Sequence, residues 1–138
     1  MRFETRLKSL RIALCAFGLT FLFGVGPLML SLWPSGWAWG AEYGHPHYSH
    51  YSLMIIAIYA VLGIFLLLAA RKPRQYGAIV WFTVWSSVLH GAVMAVQAFF
   101  DTAERAHFLG DIPAIFIVAA VLAYLMPRDA EFERNALS

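Results

Sequence analysis

A single cysteine, Cys15, leaves no internal disulfide to brace this chain. It is also poorly placed for lipid attachment, because the apolar run follows it and bulky Leu14 precedes it. Charge is scarce: 13% of residues are Asp, Glu, Lys or Arg, against roughly 25% in a soluble domain. A net charge of +2 is too small to hold a phosphate backbone, so nucleic acid is not expected as a partner. The sequence contains no HExxH, no cysteine pair, no cofactor fingerprint and no convincing internal repeat. With no catalytic constellation to point to, an enzyme is not expected.

What is present is apolar surface, at 61% of residues. One domain of 138 residues cannot hide that much from water, so lipid must be the solvent for much of it. Four apolar stretches, 12–33, 51–70, 77–100 and 112–126, are separated by polar breaks. A bilayer core takes about 20 apolar residues per helix, and the first three stretches reach that length. The fourth has only 15, so it borrows turns at its ends or lies where the bilayer is thin. The first is too long for the core of a secretory signal, typically about 7–15 residues. The pattern predicts an all-α, integral membrane four-helix bundle in a single domain.

Punctuation supports these limits. Pro34-Ser35-Gly36 ends the first span and Lys72-Pro73 the second. Asp111 reads as the N-cap of the fourth, with Pro113 tolerated in its first turn, and Pro127-Arg128 stops it. The charged tail, 127–138, reads as a frayed helix or disordered chain. Nine of the ten basic residues fall on one side: Arg2, Arg6, Lys8 and Arg11, then Arg71, Lys72 and Arg74, then Arg128 and Arg134. Only Arg105 is opposite. The positive-inside bias then puts both termini in the cytoplasm and the segments 34–50 and 101–111 outside. The expected address is a cell inner membrane, crossed several times.

On a wheel of 100° per residue the third span divides. Thr83, Ser86, Met94, Gln97 and Asp101 lie within about 40° of His90, while Trp85, Leu89 and Phe100 lie opposite. Beside the polar stripe runs a seam of small residues, Ser87, Gly91, Ala95 and Ala98, whose spacing lets helices approach closely. Ala16, Thr20 and Gly24 repeat that spacing in the first span, and Ala119 with Ala123 in the fourth. The stripe, with His90, Gln97 and Thr83, is therefore expected to face the bundle interior and the bulky face lipid or a partner. His90 lies about 15 Å from the outer end of its helix, and Tyr59 on the second span lies at a similar depth. A Tyr59–His90 hydrogen bond satisfies both.

A sharper reading uses side. His45, His47, His50, His90 and His107 all lie in the outer half or outer loops, with Met29, Met54, Met94 and several carboxylates. Imidazole with thioether suits copper, and imidazole with carboxylate suits zinc or iron. His45, His47, His50 and His107 are the candidate metal ligands. Haem lacks an evident second axial histidine, and a chlorophyll-type ring would rest on His90 alone. The outer segment also carries Trp37, Trp39, Tyr43 and Tyr48, either a headgroup belt or a docking surface.

The run His90, Gly91, Met94, Gln97, Ala98, followed by His107, Gly110-Asp111 and a short last span ending in Pro127-Arg128, resembles a family of small uncharacterised bacterial four-span membrane proteins. The resemblance covers roughly Tyr51 to Arg128 and implies a fold and a cellular address without an assigned activity. Three functions are weighed. The first is a non-catalytic accessory or structural subunit of a larger membrane complex. The second is an outward-facing copper- or zinc-binding protein. The third is a small transporter or redox component using the polar stripe, for which the nearest helix break is Gly24, Gly26 and Pro27.

Overall fold

The computed structural model describes residues 3–27 and 50–136, apart from the side chains of residues 50–52, 103, 104, 106, 129 and 136. Among them there are helices and turns and no strand. Helix α1 spans Phe3–Pro27, α2 His50–Arg71, α3 Gly77–Phe100, α4 Asp111–Leu125 and α5 Asp129–Ala136. Among the described residues four stretches are long and apolar enough to cross a membrane: Phe3–Pro27, Leu53–Arg71, Gly77–Phe100 and His107–Leu125. The last reaches 19 residues by joining α4 to the end of a 3-10 segment, Thr102–Leu109. That is how the short fourth span gains length. It borrows at its N-terminal end only, since α4 stops at Leu125.

Helix α1 contains a π-helical segment, Thr20–Gly24, in which the Val25 N–H donates to the Thr20 carbonyl. Pro27 supplies a cause. It has no N–H for the carbonyl four residues back, and its ring crowds that carbonyl, so the ladder slips to the fifth residue. At the other end of the molecule's sequence, the charged tail takes the helical of its two expected forms as α5, and it is docked rather than frayed. Its first turn is fixed by the Arg128 N–H, which donates to Glu131 Oε2 at 2.8 Å, the reach-back half of a capping box. Phe132 is buried and meets Phe3 edge to face at 5.5 Å. Asp111 also departs from expectation: Gly110 holds the cap position and the helix begins at Asp111. The Asp111 carboxylate instead accepts from the Ile112 N–H at 3.1 Å.

Helices α1 and α2 form one close pair and α3 and α4 another; α1 also touches α4, and α2 and α3 touch less. The α1–α2 crossing is built on two glycines. A Cβ on Gly63 would lie 2.7 Å from the Gly18 carbonyl oxygen, and one on Gly18 would lie 2.9 Å from Leu67. The buried stripe of α1 is Leu10, Leu14 and Gly18. Ala16 and Thr20, expected to form the seam, are exposed. On α3 the seam is where expected: a Cβ on Gly91 would lie 3.0 Å from the Phe116 ring of α4.

Most of the core gathers at one end. Leu10 and Leu14 of α1, Leu66 and Ala69 of α2, Val80 and Val84 of α3, and Leu122 and Met126 at the end of α4 form one cluster. Arg6 closes the same end. Its guanidinium donates to the Tyr124 carbonyl at 2.8 and 3.1 Å, to the Met126 carbonyl at 3.0 Å and to Glu131 at 3.1 Å. The last carbonyls of α4 have no helical N–H partner, and a cation there is favoured by the helix dipole. The first and last helices thus meet at one face of the molecule.

Candidate functional site

The polar residues of α3 do not share one environment. Thr83 is fully buried, His90, Ser86 and Met94 are half-buried, and Gln97 and Asp101 are exposed. The stripe is therefore buried only along part of its length, and Gln97 does not point into the interior. The reason is rotational. The buried residues Val80, Thr83, Val84, Ser87, Gly91 and Ala98 centre about 80° from His90 on the wheel, on the small-residue seam. Close approach of backbones, which only Gly, Ser and Ala permit, decides which face packs. The polar stripe is left at the rim of that contact.

Within the stripe the hydroxyls are largely used by their own helix. Thr83 Oγ1 donates to the Ile79 carbonyl at 2.8 Å, and Ser86 Oγ to the Thr83 carbonyl at 3.2 Å. The inter-helix polar contact is Tyr59 Oη with His90 Nδ1, 3.3 Å apart, the pairing that their equal depth suggests. Phe21, in the π-helical segment, meets the Tyr59 ring edge to face at 4.9 Å. The three residues border a cavity of about 130 Å³ between α2 and α3, a less closely packed pair than α1–α2 or α3–α4, lined by Phe21, Ile58, Tyr59, Leu62, Phe82, Ser86, Ser87 and His90. Tyr59 and His90 are legible in the sequence and Phe21 is not. The signal was Pro27, whose backbone effect reaches the preceding turn.

His107 is also placed differently from expectation. It is 3% exposed, not in a wet loop, and its Nδ1 lies 2.9 Å from both oxygens of Asp111. The 3-10 segment folds back on α3 and α4, and burial of an imidazole then calls for the carboxylate one turn on. Among the described residues no group of three or more His, Cys, Asp or Glu could hold a metal ion. His45, His47, Trp37, Trp39, Tyr43 and Tyr48 lie outside the described residues, as does the side chain of His50.

Among the described residues four helices are long and apolar enough to cross a membrane, which makes this a multi-pass membrane protein, with a tyrosine–histidine pair held between the second and third. Residues 4–136 match the family of unknown function DUF6632, and the chain belongs to that family. No curated protein and no solved structure matches it.

Proposed function

We propose that this protein is a non-catalytic subunit of the bacterial inner membrane, with both termini in the cytoplasm, that docks to a larger membrane protein. One observation carries the reading: Trp85. It is 63% exposed and stands eight residues into α3, about 12 Å along the helix. Tryptophan favours the headgroup layer, where its N–H meets water. At this depth lipid offers the indole N–H no acceptor, and no described residue accepts from it. A neighbouring protein helix would. Leu89, Phe99 and Phe100, also exposed, extend a surface that a partner would cover. The side assignment rests on the nine basic residues that share one side.

The test is purification in a mild detergent. A partner at fixed stoichiometry, lost from the Trp85→Leu variant, supports docking. If a photo-crosslinker at position 85 yields only lipid adducts, the reading is wrong.

A further inference from the structure

The cavity behind Tyr59 and His90 has a donor count that a purely structural site would not need. The Tyr59–His90 contact has two possible senses. If the imidazole donated, the Tyr59 hydroxyl hydrogen would need a further acceptor, and no described residue supplies one. If Tyr59 donates to Nδ1, hydroxyl and Nδ1 are satisfied together. Satisfaction of buried polar groups therefore selects the second sense. The proton of the neutral ring must then sit on Nε2, which has no partner among the described residues. Ser87 lines the same cavity, is 8% exposed, and makes no side-chain hydrogen bond among the described residues. Ser86, by contrast, is committed to the Thr83 carbonyl. Ser87 and His90 are three apart on α3, so their side chains are neighbours, with Cβ atoms about 5–6 Å apart. His90 and Ser87 both line this cavity, and each carries a donor with no partner among the described residues.

The cavity also has a size and an access route. An enclosed cavity of about 150 Å³ holds one benzene-sized ring; this one measures about 130 Å³ and is partly open, so a ring can seat in it with its para substituent left outside in the lipid. At its rim Ile58 and Phe82 are 66% and 61% exposed, on the surface of helices that face the bilayer. A ligand would arrive laterally from lipid.

We propose that this cavity binds a lipid-soluble molecule through a single ring bearing a carbonyl-type acceptor oxygen, with His90 Nε2–H and the Ser87 hydroxyl as donors. Phe21 and Leu62 provide apolar walls, and Tyr59 fixes the imidazole tautomer. This goes beyond the docking reading, since Trp85 takes no part in it.

The experiment uses the full chain in nanodiscs with para-fluoroacetophenone and para-fluorotoluene, followed by fluorine NMR against empty nanodiscs. The rings match, and only the first carries an acceptor. Saturable binding of the ketone about tenfold tighter than of the hydrocarbon, a margin one to two hydrogen bonds can supply, is the expected result. Ser87→Ala should reduce that margin and His90→Phe should abolish ketone binding. If His90→Phe fails to fold, as judged by helicity and gel filtration, Ser87→Ala carries the test. Equal binding of the two probes, no saturable binding of either, or an unchanged ketone affinity in Ser87→Ala overturns the proposal. Loss of a partner from Trp85→Leu without any change in probe binding would separate this site from the docking surface.

Discussion

At the scale of single residues, the Tyr59–His90 contact is a polar bond inside a membrane interior, where such bonds have measured worth. His90→Leu is expected to lower unfolding free energy in mixed micelles by about 0.6–2 kcal/mol while leaving insertion intact. Tyr59→Phe should cost a similar amount, and the double variant should cost less than the sum. Additive losses would mean that the two side chains do not interact. The glycine crossing makes a stronger prediction. Gly63→Ala sets a methyl 2.7 Å from the Gly18 carbonyl oxygen, a backbone atom that cannot swing aside. It should destabilise by about 1–3 kcal/mol, whereas Gly26→Ala, whose Cβ would meet Ile56 at 3.6 Å, should be near neutral. The Tyr59–His90 pairing was legible in sequence because helix rise alone matches their depths. The Gly18–Gly63 contact was not. Several small residues occupy each span, and only the rotation of α1 about Leu10 and Leu14 selects Gly18 over Ala16 and Thr20.

At the scale of elements, α5 shows how few bonds decide between a docked helix and a loose tail. Its charged composition reads as a frayed helix or disordered chain. The Arg128 N–H bond to Glu131 and the Arg6–Glu131 ion pair at 3.1 Å come from residues that carry no periodic signal. These same groups hold the Glu131 carboxyl below its ordinary value: the Arg128 backbone N–H first, then the charges of Arg6, Arg128 and Arg134. The sign follows from linkage. A carboxylate favoured in the folded state contributes stability above its unfolded pKa, and that contribution is lost as pH falls through the depressed folded value. Amide protection in Asp129–Ala136, corrected for intrinsic exchange rates, should therefore persist at about pH 6 and fall away toward about pH 3. Glu131→Gln should weaken protection at the higher pH and remove the dependence. Arg6→Lys should recover only part of the clasp, because a guanidinium reaches two carbonyls and a carboxylate at once and an ammonium lacks that fork.

At the scale of the whole molecule, four spans were legible because lipid demands long apolar runs, and α3 has the limits expected for it, Gly77–Phe100. What sequence could not supply was the rotation of α3, which depends on the seam meeting Phe116 of α4. That rotation leaves Gln97 outside. It also could not show the looser packing between α2 and α3, where the cavity lies. The side of the membrane is a separate prediction. In a Cys15→Ser background, single cysteines at Gly40 and at the exposed Gln75 should label from opposite faces of sealed vesicles, position 75 from the cytoplasmic face. Labelling of both from one face would refute the topology.

The Arg6 clasp has a consequence for biogenesis. Its guanidinium binds the Tyr124 carbonyl and Glu131, 118 and 125 residues further on. At about 5–20 residues per second of synthesis, Arg6 waits roughly 6–25 s for these partners to be made. The Gly18–Gly63 crossing needs only the first two helices, so that hairpin can close while the ribosome is still at work. Assembly would then be ordered in time: the α1–α2 hairpin first, and the clasp between first and last helices as the closing step. A chain stalled at residue 110 should leave Arg6 open to phenylglyoxal, and release to residue 138 should protect it.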